Sequence, residues 1–204
     1  MNQVYLDSAR GTVHPIRTAS LSPKASETLL ADLELPVLSV EDLYGGKLVA
    51  ALDRQHPRDL FDALQLFRHE GITPGIRRSF VAYLACHNRP IHEVLNPNLR
   101  DISADYDSTF RGMTAEPVEL KVLLSARERM IAELHAHLDH DERAFLLSLA
   151  RNEPNWALLG IDHLEQLPGI RWKLRNLEQL AKTSPRKLKA QAQELETLLG
   201  KGVR

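Results

Sequence analysis

Lys47 interrupts the stretch Leu43-Tyr-Gly-Gly-Lys47-Leu-Val-Ala-Ala-Leu, and Pro57-Arg58-Asp59-Leu-Phe-Asp62 follows shortly after it. A lysine on an apolar helix face is costly unless its charge meets a partner or reaches water. Its neighbours one turn away are Leu43, Ala50 and Ala51. A compact ammonium on a flexible stem suits a phosphate. It suits equally a lysine that reaches past a helix border into water. Asp59 and Asp62 lie three apart and share a helix face. They can bind a cation, orient Lys47 or accept a proton, and Asp59 also fits the plainer part of an acid in a first helical turn. A helical hairpin that brings the second helix back along the first is expected to set Lys47 against Asp59.

The elements that must position these groups are mostly helices. Ser39 is expected to cap a helix over 40–53, with Asp42 favouring its N-terminus. Pro57 and Arg58 open 58–69, which Gly71 stops. Thr73-Pro74 opens 74–87. A Pro-punctuated link follows, with one turn at 91–95, and residues 99–116 read as a loop. Further helices are expected at 117–138, 141–151, 161–181 and 185–199. Residues 3–21 are β-rich, with a strand at Val4–Leu6, a turn at Arg10-Gly-Thr and an extended piece at Val13–Ile16. Residues 22–35 are ambiguous, with Ser22-Pro-Lys as a helix start. Gly45 and Gly46 inside a helix call for close approach of a ligand or of another helix.

Composition narrows the class. The 204 residues are 43% hydrophobic and hold one cysteine, Cys86, so there is no disulfide framework. That fits a reducing cytoplasm. No apolar run approaches the ~20 residues of a membrane helix, and Met1–Asp7 is not a signal peptide. The net charge of −1 is unevenly spread: residues 171–204 hold nine Lys/Arg against three Glu, +6, which leaves −7 on the rest. A basic end with Trp172 between Arg171 and Lys173 is a candidate RNA contact, by charge and by stacking. The alternative is a solvated helix end with Trp172 in the core.

Other constellations have plainer readings. Asp105-Tyr-Asp107 and Asp139-His-Asp141 spell Asp-x-Asp but are expected as solvated acids in a polar loop and at a helix junction. His135, His137, Asp139 and Asp141 lack the clean spacing of a closed zinc site. Cys86-His87, adjacent on a helix, suits core packing better than catalysis.

Lys-Leu-x-Ala-x-x-Asp-Arg with Pro-Arg-Asp-Leu-Phe-Asp resembles the AbiEii/AbiGii nucleotidyltransferase toxins of bacterial type IV toxin–antitoxin systems. So do Arg10-Gly-Thr-Val-His-Pro, Pro154-Asn-Trp-Ala-Leu-Leu, and Leu167-Pro-Gly-Ile-Arg-Trp-Lys-Leu-Arg-Asn-Leu177. The resemblance implies an α+β, mostly α chain: a partial polymerase-β-like nucleotidyltransferase domain over 1–98 (β remnant 1–36, helices 37–98), then a helical C-terminal domain over 110–204. It implies an NTP with Mg²⁺ as cofactors, tRNA or other RNA as acceptor, and a cognate antitoxin encoded nearby; the basic end 171–204 is the charge-based candidate for the RNA contact. Carried onto this sequence, the motif lysine is Lys47 and the first motif aspartate is Asp59, both catalytic. Lys47 and Arg58 would bind nucleotide, with Asp62 and Asp7 as further candidates.

The family's metal-binding Asp-x-Asp follows a Gly-Ser or Gly-Gly element upstream of the Arg-Gly-Thr strand. Nine residues precede Arg10, so the segment is expected to be missing, no metal ligands are assigned, and the chain by itself is expected not to catalyse transfer. Asp7 is the acid available on the strand, in a register offset from Arg10. The alternative function is a non-catalytic module that binds nucleotide, RNA or a protein partner.

Overall fold

The computed structural model describes residues 11–200. The strand expected at Val4–Leu6, Asp7 and Arg10 lie outside them. The first element is β1, Arg17–Ser20, followed by helix α1, Pro23–Leu29, and β2, Glu34–Val37. The two strands pair antiparallel, with Arg17 opposite Val37 and Ser20 opposite Glu34. Residues 13–16, expected to be extended, are irregular, because the backbone of Val13 and His14 is claimed by a side chain rather than by a strand. The ambiguous 22–35 segment resolves into α1, capped by the Ser22 hydroxyl on the Ala25 N–H, and the lead into β2.

Helix α2, Val40–Arg54, starts where the Ser39 side chain accepts the Asp42 N–H. It ends at Gln55, whose left-handed φ of 51° turns the chain into α3, Pro57–His69. Gly71 follows with φ +70°. Helix α4, Pro74–Ala85, is capped by Thr73. The proline-punctuated link carries the short α5, Ile91–Leu95, as the sequence suggests. The expected loop at 99–116 instead contains α6, Ser103–Thr109. Tyr106 anchors it: the ring is buried and its hydroxyl donates to the Val118 carbonyl at 2.9 Å. Asp105 and Asp107 therefore stand on a helix, not in a loop.

Helices α7, Leu120–His137, and α8, His140–Ala150, follow. Asp139 caps α8 in a capping box with Glu142, which gives Asp139 a structural task. The helix expected at 161–181 begins only at Pro168, preceded by single 3₁₀ turns at Trp156–Leu158 and Leu164–Gln166. Proline fits the first turn of a helix and not its interior, so Pro168 sets that start. Helix α9 runs Pro168–Thr183 and α10 runs Pro185–Gly200.

Helices α2 and α4 make the tightest pairing. A Cβ placed on Gly45 would lie 2.7 Å from the Ser79 Cβ and 2.8 Å from the Phe80 backbone nitrogen. Of the two readings of Gly45, close helix packing holds. Gly46 has open space where its Cβ would be. One apolar cluster runs from Val13 through Leu48, Leu52, Phe80 and Leu84 to Phe145, Leu195 and Leu199, so helices on both sides of residues 99–116 share it. Strands β1 and β2 and helix α1 contribute no buried residue to it. No helix of the described residues is long and apolar enough to cross a membrane.

Candidate active site

Helices α2 and α3 form a hairpin about Gln55, and that turn is held from three sides. The buried Gln55 side chain donates to the Asn98 carbonyl at 2.8 Å and accepts from the Arg100 N–H at 3.1 Å and from Arg127 at 3.2 Å. The hairpin geometry therefore does not depend on surface charges.

Across the hairpin, the Lys47 ammonium is bonded to the Asp62 carboxylate, and both side chains are about one-third exposed (35% and 34%). Asp59 is held instead by Arg54 at 2.6 Å. The expected Lys47–Asp59 pairing is thus corrected. Arg54 and Asp59 flank the turn closely, whereas Lys47 stands two helical turns back from it. Its partner must lie correspondingly further along α3, and Asp62 is that residue. The Asp59 side chain is 13% exposed, and its Oδ2 atom is buried with no partner among the described residues. Arg58 is exposed on the same helix turn and leans on the Thr109 carbonyl through Nη2 at 3.2 Å and Nε at 3.4 Å. His56, which caps α3, touches the Thr109 hydroxyl at 3.2 Å.

This face can hold an anion. Lys47 keeps donors beyond the one engaged by Asp62, and the exposed Arg58 keeps donors beyond those on the Thr109 carbonyl. Asp62 aims the ammonium, and the buried Asp59 Oδ2 is left without a partner among the described residues. A divalent cation needs several converging oxygens. Among the described residues no group of three or more His, Cys, Asp or Glu side chains is placed to hold a metal ion. One orphan oxygen does not make such a site, and the described residues do not fit the Mg²⁺ that the resemblance implies.

A second polar cluster at the start of α2 escaped sequence reasoning. The Asp42 carboxylate is fully buried. It accepts the Val13 N–H at 2.9 Å, the His14 N–H at 2.8 Å, the Tyr83 hydroxyl at 2.8 Å and the Ser39 hydroxyl at 3.2 Å. His14 Nδ1 lies 3.3 Å from Asp42 and 3.4 Å from the Ser79 hydroxyl. Both contacts use the same ring nitrogen, so the three do not form a proton relay of the Ser-His-Asp kind, which needs both nitrogens. Asp42 instead clamps the chain segment 11–14 onto the helix that carries Lys47. Its position in a first helical turn was legible, but partners 28 to 41 residues away leave no spacing signal.

The remaining sequence candidates separate. Trp172 is 52% exposed, not core. Arg171, Arg175, Arg186, Lys187 and Lys189 are exposed as well. Lys173 is not part of that surface: it is buried, and its ammonium donates to the carbonyls of His87 and Arg89 at 2.9 and 2.7 Å. Burial pushes its pKa down to about 8. Cys86 is a buried thiol outside any disulfide.

The family model described as "Nucleotidyl transferase AbiEii toxin, Type IV TA system" matches residues 3–176, most of the chain. No curated protein and no solved structure matches it. The match spans both the Lys47–Asp62 hairpin and the Asp42 clamp, and the chain belongs to the AbiEii nucleotidyl transferase toxin family.

Proposed function

We propose that the Lys47–Arg58 face binds the triphosphate of a nucleoside triphosphate and that this protein serves nucleotidyl transfer to RNA as the toxin of a type IV toxin–antitoxin pair. The observation that carries the reading is the Lys47–Asp62 pair. An ammonium about one-third exposed is held by the Asp62 carboxylate, and the exposed Arg58 stands one turn before Asp62 on the same helix, in a chain of a nucleotidyltransferase family. Lys47 and Asp59 are the proposed catalytic groups, with Asp62 orienting Lys47. The described carboxylates do not fit a divalent cation. The 204-residue chain alone is proposed to bind nucleotide without transferring it.

Two measurements test this. Titration with a fluorescent nucleoside triphosphate should show binding that Lys47→Ala weakens by about tenfold or more, as expected when a charge-assisted hydrogen bond is lost. Incubation with labelled triphosphates, Mg²⁺ and total tRNA should give no incorporation above the Lys47→Ala control. Binding indifferent to Lys47→Ala overturns the site, and Lys47-dependent incorporation overturns the inactivity.

A second reading, RNA binding without catalysis, is favoured by the exposed Trp172. Pro168, Arg171, Trp172 and Arg175 line one surface depression. An exposed indole among guanidinium groups is a stacking platform for unpaired bases. Affinity for tRNA should then fall steeply with salt. Charge reversal at Arg171 and Arg175 should flatten that slope.

A further inference from the structure

We propose that the cavity between α9, α10 and the 88–93 link is a binding pocket for a nucleobase that carries a phosphate, separate from the Lys47 face. The cavity measures about 240 Å³. The fold builds it from two helix stripes. Lys173, Asn176, Leu177 and Leu180 recur on one face of α9, and Lys187, Gln191 and Leu195 recur on one face of α10. The third wall is the link, with Asn88 and Ile91.

The chemistry of the lining selects the ligand. Ile91, Leu177 and Leu195 are buried aliphatic side chains that offer flat apolar walls. The charged groups of the link are already engaged: Glu93 by Arg89 at 3.2 Å, and His92 by Glu194 at 2.8 Å. The carboxamides of Asn88, Asn176 and Gln191 also line the cavity, and none of them bonds to another described residue. Each carries a donor and an acceptor side by side. A nucleobase presents the same alternation along its edge and buries its faces against aliphatic walls. The ammonium of Lys187, exposed and without an ion pair among the described residues, stands at the mouth for a phosphate. A simple carboxylate would pair with the carboxamide N–H groups but leave their carbonyl oxygens without a donor, and a cation would meet two lysines. The volume is below the ~300–1,000 Å³ usual for ligand pockets, so the ring enters and the phosphate stays outside. The ring can come from a free nucleotide or from an unpaired nucleotide of an RNA.

The test uses the 204-residue chain carrying Lys47→Ala and Arg58→Ala, so that both cations of the face described above are removed and the two sites succeed or fail separately. AMP, CMP, GMP and UMP, and short single-stranded oligoribonucleotides of each base, are titrated while the side-chain amide resonances of Asn and Gln are followed by NMR. At least one mononucleotide or oligonucleotide is expected to shift them. The double variant Asn176→Ala/Gln191→Ala should weaken that binding about tenfold or more. Asn176→Trp, an exposed position where the indole would fill the mouth, should block it with the helical circular dichroism unchanged. Binding of mononucleotides assigns the site to free nucleotide, and binding of oligonucleotides alone assigns it to RNA. The proposal is overturned if neither binds at millimolar concentration. It is also overturned if the variants leave binding unchanged, or if inorganic phosphate competes as well as the nucleotide, since the site would then read no base.

Discussion

The Lys47 ammonium rests on the Asp62 carboxylate, one helical turn beyond the Asp59 that the motif singles out. With both side chains about one-third exposed, water screens the pair, and its worth to the fold is ~0–1 kcal/mol. Lys47→Ala and Asp62→Asn are therefore expected to shift the urea midpoint little, alone or together, with a double-mutant coupling below about 1 kcal/mol. The same substitutions should act on nucleotide binding. A large loss of stability with Asp62→Asn would make the pair a structural element rather than a ligand-directed one.

Asp42 should behave in the opposite way. Its carboxylate is buried and accepts two backbone N–H groups and two hydroxyls. Asp42→Ala leaves those donors without acceptors and is expected to destabilise by roughly 2–4 kcal/mol, the range of a broken buried network. Tyr83→Phe removes one donor and should lose about 1 kcal/mol. Chemical denaturation of the two variants checks the order, and an Asp42→Ala effect no larger than that of Tyr83→Phe would contradict it.

Helix packing gives a paired prediction at Gly45 and Gly46. A methyl at Gly45 would sit within 2.8 Å of the Phe80 backbone, which cannot give way as a side-chain tip would. Gly45→Ala should cost roughly 1–3 kcal/mol, as overpacking does. Gly46 faces open space in a helix interior, so Gly46→Ala should stabilise by up to ~1 kcal/mol. Thermal melts of the two alanine variants should therefore move in opposite directions.

Lys173 makes stability depend on pH. Burial lowers its pKa from 10.5 in the open chain to about 8 in the fold. Between those values the unfolded chain keeps a proton that the folded chain has released. Stability contributed at this site thus rises with pH from about 8 to 10.5, by at most roughly 3 kcal/mol. Below about 8 both states are charged, and the burial penalty stands in full. Lys173→Met keeps the aliphatic stem and removes the titration. Denaturation at about pH 7 and about pH 10 should give a wild-type-minus-variant difference that grows with pH. A difference that stays flat would mean that the carbonyls of His87 and Arg89 compensate the buried charge.

What the sequence disclosed depends on the range of the signal. Caps and breakers act locally, so Ser39, Thr73, Pro57 and Gly71 mark their helix ends in the primary sequence. The motif residues led to the right hairpin, and two glycines before Lys47 announced a close contact that only Gly45 makes. What stayed hidden is tertiary. Register along α3 decides that Lys47 meets Asp62. The Asp42 clamp gathers Val13, Ser39 and Tyr83 from separate parts of the chain. Lys173 looked like one more cation of a basic stripe, and only the packing of α9 turns it inward. Trp172, its neighbour, points the other way for the same reason.

The segment that Asp42 clamps has a second tether far away: His163 bonds to the Thr12 carbonyl at 3.0 Å across 151 positions. During synthesis these two attachments become possible at different times. Asp42 and Tyr83 emerge from the ribosome early, soon after the segment itself. His163 follows some 80 residues after Tyr83, and at ~5–20 residues per second that interval is on the order of ten seconds. Segment 11–14 is therefore half-fastened while the residues up to His163 are being made. Its final seat is a late, long-range closure of the kind that slows folding. The nascent protein acquires the hairpin that carries Lys47 well before Thr12 and His163 are locked together.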